Sequence, residues 1–390
     1  MTPPVVVRRG DPGKRAAIKL FATTHAGLER ILARELRGLG ARDVTPAVRG
    51  VSFRGDLSTL YAANLWSRTA SRVLVEIGTF AARDREALYA GVKAVDWEAH
   101  MRLGQTLAVD AVSSRSQLDH TQFISRVVKD AVVDSFRERR GRRPSVDPRT
   151  PDLRLNARLL DDRCTLSWDS SGQRLHRRGY RPSTGAEAPL QENLAAGILL
   201  LSGYDGKTPM FDPMCGSGTL LVEAALIARN MAPGLLGRDF AFAAHPTFDR
   251  ILWQSIRENA QASTREVDGC PVIGSDVSGE AVRVAQTAVR GAGVDDVVAI
   301  KRARMEEMTE RGEGMLVTNP PYGERLGELG RLGDLYSALG DTLKHRCRGM
   351  TAHVLTGSKF LAGKIGLKTA RRDVLWNGAI ECRLLHYELY

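Results

Sequence analysis

The residues best equipped for chemistry lie in MLVTNPPYGER, where an apolar strand-like stretch, Met315 to Thr318, feeds directly into Asn319-Pro320-Pro321-Tyr322. Two consecutive prolines fix the backbone and remove two N–H donors, leaving the carbonyls of Asn319 and Pro320 free to accept from a substrate. The Asn319 side-chain oxygen is a third acceptor, and Tyr322 offers a flat face on which an extruded base can stack. Such a group can hold an exocyclic amine by its two protons and turn the nitrogen lone pair toward an electrophile. A proline-stiffened turn without chemistry has the same local sequence. The difference rests on whether the same sheet carries other ligand-holding features.

Two such features stand upstream. In FDPMCGSGTLLVEAALIA, Phe211 to Ala228, a short strand runs into a glycine turn and then a helix. That order aims backbone N–H groups and a helix N-terminus beyond the strand's carboxyl end. Asp212, Pro213, Met214, Cys215, Gly216, Ser217, Gly218 and Thr219 are the candidate ligand contacts. Gly216 and Gly218 permit close backbone approach, Asp212 can accept from a cationic amine, and Cys215 contributes shape rather than a nucleophile. A triphosphate loop would need a Lys here, and the dinucleotide fingerprint would need Gly where Leu221 stands. The second feature, VIGSD, puts Asp276 at a strand tip, from which a carboxylate accepts from both ribose hydroxyls; Val277 follows it. A helix N-cap carboxylate is the alternative for Asp276. The spacing between turn and carboxylate exceeds the usual ~20 residues, so Met231 to Gly269 reads as an insertion.

These features require a sheet to position them. Strand candidates at Met210–Asp212, Val272–Asp276, Val297–Ile300, Met315–Thr318, His353–Thr356 and Cys382–Tyr387 alternate with helical segments, which predicts a doubly wound, Rossmann-like α/β domain. Ahead of it the pattern is α+β. A strand at Ala17–Thr24 precedes a helix carrying Leu28, Ile31, Leu32 and Leu36, a strand around Val48–Phe53 and a helix from Leu57 to Ser71. Then come VLVEIGTF, a helix near Arg85–Ala94, TLAVDAVS, a helix from Thr121 to Arg139, and the strands LRLNARLL and CTLSWDS. The stretch Ser171 to Pro189 is polar and punctuated by Gly and Pro, so it reads as a linker. Residues 1–15 read as a flexible basic tail.

A chain of 390 residues, 43% apolar and 26% charged, is long enough for two or three domains, which excludes peptide hormones and disulfide miniproteins. The net charge of +11 raises polyanions as partners, and it is unevenly placed. Residues 1–185 hold 33 Lys/Arg against 20 Asp/Glu, a net +13, while residues 186–390 hold 23 against 25, a net −2. Arg137, Arg139, Arg140, Arg142 and Arg143, with Arg177, Arg178 and Arg181, are the candidate phosphate contacts. A solvated helix end and an ordinary linker are the bland alternatives. Five scattered cysteines without a C-x-x-C pair argue against a disulfide framework or a zinc site, so no metal is expected. The N-terminus lacks an apolar signal-peptide core and the longest apolar stretch, Leu194 to Leu201, is too short for a bilayer, so a cytoplasmic protein with no membrane partner is expected.

DPMCGSGT, Asp276 and NPPYGER resemble the motifs of class I S-adenosylmethionine-dependent amino-methyltransferases. With FATTHAGLERILARELRGLG, LYAANLWSRTASRVL, VVKDAVVDSF and LHRRGYR, the chain from about Ala17 onward is similar to the RlmL-type guanine-N2 methyltransferases of large-subunit ribosomal RNA. The resemblance implies a ferredoxin-like unit over 16–58, a THUMP RNA-binding domain over 59–168, a linker over 169–188 and a methyltransferase domain over 189–390. It implies methionine and adenosyl contacts on Asp212 to Thr219, Asp276 and Val277, and amine-holding and base-stacking roles for Asn319, Pro320, Pro321 and Tyr322. Many relatives place an adenine-binding Asp where Arg304 stands, which shifts that contact to Met305 or Glu306. The implied activity is formation of N2-methylguanosine in 23S RNA or its assembly intermediate, at the guanosine-2445-type position, with no obligate protein partner. A tRNA guanine-N2 methyltransferase and a non-catalytic RNA-binding or assembly protein are the alternatives.

Overall fold

The computed structural model describes residues 17–181, 190–269, 271–309, 312–322 and 329–390. The N-terminal half begins with β1 (Ile18–Thr23), whose alternation buries Leu20 and Ala22, and α1 (Glu29–Gly38), which buries Ile31, Leu32, Ala33 and Leu36 at helical spacing. β2 (Arg42–Ala47), β3 (Gly50–Gly55), α2 (Leu57–Trp66), β4 (Arg72–Ala81), α3 (Arg85–Lys93), β5 (Thr106–Ser114), α4 (Thr121–Arg140), β6 (Ser145–Val146), β7 (Leu153–Leu160) and β8 (Arg163–Asp169) follow. They form one eight-stranded sheet in the order β2-β3-β1-β4-β8-β7-β5-β6. Long β4 joins its halves, pairing with β1 from Arg72 to Val75 and with β8 from Leu74 to Ala81.

The C-terminal half holds α5 (Glu192–Leu201), β9 (Met210–Asp212), α6 (Thr219–Ala228), α7 (Arg250–Ala262), β10 (Val272–Asp276), α8 (Gly279–Gly291), β11 (Val298–Arg302), β12 (Met315–Thr318), α9 (Leu329–Arg346), β13 (Thr351–Thr356), α10 (Lys359–Lys364), β14 (Arg371–Asn377) and β15 (Ile380–Glu388). Its sheet runs β11-β10-β9-β12-β13-β15-β14, with the first five strands parallel and β15 antiparallel to both its neighbours. Chain order reverses at β9, with β10 on one side and β12 on the other. A crevice opens at the carboxyl ends of strands flanking such a reversal. The glycine turn, Asp276 and Asn319 all leave the sheet at that edge.

Several sequence expectations are corrected. The strand expected near Val48–Phe53 is a hairpin, β2 and β3, with Val48 and Arg49 in its turn. β2 is a polar, largely exposed edge strand containing Pro46, so it shows no apolar alternation. β14 is likewise an edge strand, paired only with β15, and was not anticipated. The helix expected from Leu57 to Ser71 ends at Trp66, because the next backbone turns to meet Glu35, which accepts from Ser67 Oγ, Arg68 N and Thr69 N. The part of the expected linker that is described, up to Arg181, is packed: Ser171, Leu175, Arg178 and Tyr180 are buried. Residues 1–15 and 182–189 lie outside the described residues.

The insertion between the glycine turn and Asp276 packs on the N-terminal half. Phe242 sits 4.5 Å from Tyr61 and 4.9 Å from Trp253, Asp249 N donates to the Tyr61 hydroxyl, and His245 stacks at 4.1 Å on Trp168 of β8. A second seam is polar and buried. Arg68 donates to the carbonyls of Leu226 and Met231 at the end of α6, and Arg178 forms an ion pair with Glu223 of the same helix at 3.2 Å. Tyr180 donates to Glu223 as well. A buried pair of this kind is destabilising by ~3–5 kcal/mol when one partner is removed, because the other charge is stranded.

Candidate active site

Three strand ends build the site. β9 delivers Asp212, which is buried and accepts from Thr318 Oγ1 at 2.8 Å and from Met214 N at 3.2 Å. Burial lifts its carboxyl from 3.8 to about 7; those two hydrogen bonds oppose the rise and the nearby Asp276 charge adds to it. No cation pairs with Asp212 among the described residues. A dry carboxylate without a counter-charge is suited to a ligand that brings one.

The turn after β9 is shaped by two left-handed glycines. Gly216, at φ +53°, faces open space where a side chain would otherwise project, while Gly218, at φ +77°, lies against Ala285 of α8. The amides of Ser217, Thr219 and Leu220 find no acceptor among the described residues, as expected for a helix start that awaits an acceptor. Cys215 is buried and burial pushes its thiol up, away from the thiolate a nucleophile needs. Arg181, expected to contact RNA, donates instead to Thr219 Oγ1 at 2.9 Å and to the Leu190 carbonyl, and pairs with Glu192 at 3.2 Å. It braces the turn.

β10 delivers Asp276, which accepts from Gly216 N at 3.0 Å and Ser278 N at 2.9 Å. A carboxylate has about four acceptor positions, so it can also take ribose hydroxyls. Val277 beside it is 59% exposed, an apolar face at the strand tip, whereas Met305 is buried in the hydrophobic core. Arg304 is exposed and pairs loosely with Glu306.

β12 delivers Asn319. Its Oδ1 is buried and has no partner, and the backbone carbonyls of Asn319 and Pro320 accept nothing from the described residues. Tyr322 is held from behind: Asn377 Nδ2, in the β14–β15 hairpin, donates to its hydroxyl at 2.8 Å. The ring borders a cavity of about 810 Å³ that Lys359, Arg372 and Arg383 also line. Sequence reasoning missed Thr318, Asn377 and this basic wall. Thr318 adjoins the proline motif and was within reach; Asn377 lies 55 residues from Tyr322 and only the sheet pairing reveals it.

The remaining candidates separate cleanly. Arg137, Arg139 and Arg140 at the end of α4 are exposed but paired with Asp134, Asp96 and Glu98. Arg142, Arg143 and Arg177 are exposed with no side-chain partner among the described residues. Arg178 is 1% exposed and committed to Glu223, so it is a structural charge and not a phosphate contact.

Comparison with known proteins identifies the domains that carry this site. Residues 178–386 match the RMKL-like methyltransferase domain, residues 19–74 the RlmL ferredoxin-like domain and residues 82–169 the THUMP domain. A putative RNA methyltransferase of Synechocystis is 42% identical over 95% of this chain and 96% of its own length. The chain belongs to the RMKL-like methyltransferase family. The ribosomal RNA large subunit methyltransferase K/L of Syntrophotalea carbinolica is 47% identical to this RMKL-like chain and matches 96% of it. The chain spans about half the length of the K/L proteins, 54% of this one. A putative methyltransferase crystallised in complex with SAH superposes on it with a TM-score of 0.87, at 34% identity over 97% of this chain and 99% of that one.

Proposed function

We propose that this chain methylates N2 of guanine in large-subunit (23S) ribosomal RNA, with S-adenosylmethionine as donor. The observation that carries the reading is the buried, unpartnered Asn319 Oδ1 at the end of β12, three residues before Tyr322, which borders the cavity. A buried acceptor without a donor costs about 1–3 kcal/mol, and an amine proton satisfies it. Relatives named as ribosomal RNA methyltransferases and the THUMP domain match support RNA as the substrate.

The cofactor, when bound, supplies an electrophilic methyl group on a sulfonium. Gly216 leaves room for it, Asp212 offers the counter-charge and Asp276 the ribose acceptors. At the acceptor side, Asn319 Oδ1 and the Pro320 carbonyl take the two amine protons. Accepting those bonds favours a pyramidal nitrogen and compensates the positive charge that develops there. Tyr322 fixes the ring plane so that nitrogen and methyl lie in line. With the cofactor bound, its methyl would pass from sulfur to the guanine nitrogen held by Asn319 and Pro320, and that nitrogen would release one proton to solvent.

The test is transfer from labelled S-adenosylmethionine to purified 23S RNA and to tRNA, followed by nucleoside analysis and mapping of the product. N2-methylguanosine in 23S RNA is expected; the same product only in tRNA, methylated adenine, or no transfer to either RNA overturns the reading. Asn319→Ala is expected to lower kcat by at least roughly a hundredfold with cofactor Kd unchanged within error. Loss of cofactor binding in that variant would remove the amine-holding role.

A further inference from the structure

A second cavity, of about 240 Å³, lies where the two halves meet, at the opposite edge of the catalytic sheet. Its C-terminal wall comes from Tyr204, Asp205 and Lys207, which precede β9, and from Ile227 and Asn230 at the end of α6. The glycine turn lies at the other end of α6, whose ten residues span about 15 Å. The N-terminal wall is Ile31, Arg34 and Glu35 of α1, with Leu39, Trp66 and Arg68. We infer that this interdomain cavity binds a nucleoside monophosphate: a phosphate at its cationic groups and a base against its apolar wall.

Charge is the first argument. Arg34, Lys207 and Arg265 border the cavity, are exposed, and form no side-chain ion pair or hydrogen bond among the described residues. The two acids there are already occupied, Glu35 by the Ser67–Thr69 backbone and side chains and Asp205 by Lys207 N. Hydrogen bonding to neutral donors leaves both carboxylates charged, so they offset two of the four cations Arg34, Arg68, Lys207 and Arg265, and the local surplus is positive by two. Buried polarity is the second. Tyr204 is 3% exposed and Arg68 8%, both border the cavity, and the Tyr204 hydroxyl and the Arg68 Nη1 are buried without partners. Buried donors are almost always satisfied, and both orphans belong to residues that border this one cavity. Shape is the third: Ile31, Leu39, Trp66, Leu200 and Ile227 supply an apolar wall, and the volume admits one ring system with one anionic group but no strand.

The nucleotide can be free or a single residue of bound RNA, since both present the same chemistry. Because the cavity joins α1 to α6, its occupant would tie the N-terminal half to the helix that carries the cofactor turn.

Calorimetry of the full chain with AMP, GMP, CMP and UMP, in the presence of saturating S-adenosylhomocysteine to occupy the catalytic crevice, tests the inference. Saturable binding of at least one nucleotide is expected, weakened roughly tenfold or more by Arg34→Glu with Lys207→Glu and by Tyr204→Phe, and untouched by Asn319→Ala. Arg34 and Lys207 are exposed, so that pair keeps the fold and a thermal melt checks it. Displacement of the nucleotide by a ribosomal RNA fragment assigns the site to RNA, and failure to displace it assigns a free nucleotide. No saturable binding of any of the four, binding insensitive to both variants, or inorganic phosphate binding as tightly as the nucleotides overturns it.

Discussion

Asp212 holds a carboxylate in a dry pocket with two hydrogen-bond donors, Thr318 Oγ1 and Met214 N, and no cation among the described residues. Its carboxyl, lifted by burial to about 7, keeps its proton in the folded chain over a range in which the unfolded chain, near 3.8, has lost it. The sign follows: this group makes the ligand-free protein less stable as pH rises from 3.8 toward 7, and the deficit is complete above 7. A cationic ligand needs the ionised form, so its affinity changes in the opposite sense. Binding of S-adenosylmethionine should be flat above about pH 7.5 and weaken by up to roughly tenfold per pH unit well below 7. In Asp212→Asn, which still accepts from Thr318, binding should be weak at all pH values and lose that slope. Calorimetric titrations from about pH 5.5 to about pH 8 decide it; an unchanged slope in Asp212→Asn would assign the titration to another group.

At the scale of elements, the turn between β9 and α6 separates two kinds of glycine. Both Gly216 and Gly218 have positive φ, so alanine at either position incurs the left-handed cost of about 1–2 kcal/mol. A side chain at Gly218 also meets Ala285 Cβ at 2.9 Å and its Cα at 3.1 Å, and backbone there cannot move aside cheaply, whereas a side chain at Gly216 meets nothing within 4 Å. Gly218→Ala should therefore lower the melting temperature more, while Gly216→Ala should weaken cofactor binding by roughly tenfold or more at a smaller stability cost. Equal cofactor affinity in Gly216→Ala and the native chain would show that the open space is not ligand space. The same turn shows what a sequence makes legible. β9, β10 and β12 were readable because buried parallel strands are short apolar runs followed by turn residues, and their ends carry the site. β2 and β14 were not, because edge strands are polar and borrow their order from one neighbour. Arg178 shows the other limit: a charge in LHRRGYR is visible in sequence, but its burial against Glu223, 45 residues away, is a property of the packed seam.

The whole molecule divides its charge as the sequence does, with the excess in residues 1–185, yet only some of those cations can act on a polyanion. An arginine already paired with a carboxylate must give up that bond to take a phosphate, and it releases fewer counterions when it does. Arg139 and Arg140 are in that position, held by Asp96 and Glu98, while Arg142, Arg143 and Arg177 are exposed and unpaired among the described residues. Arg142→Glu with Arg143→Glu should weaken binding of a ribosomal RNA fragment and lower the log–log salt slope by about 1–2. Arg139→Ala with Arg140→Ala should change the slope by less than about 0.5. Arg178→Ala should leave any residual RNA slope intact but lower the melting temperature, since Glu223 then loses its ion-pair partner and keeps only the Tyr180 hydroxyl and the charge of nearby Arg68, at a cost of up to ~3–5 kcal/mol. Anisotropy titrations across a salt series, paired with thermal melts, separate these outcomes. If the slope were unchanged when Arg142, Arg143 and Arg177 are all reversed, the phosphate-binding surface would have to lie on the catalytic half. Lys359, Arg372 and Arg383, around the cavity that Tyr322 borders, would be the groups to reverse next.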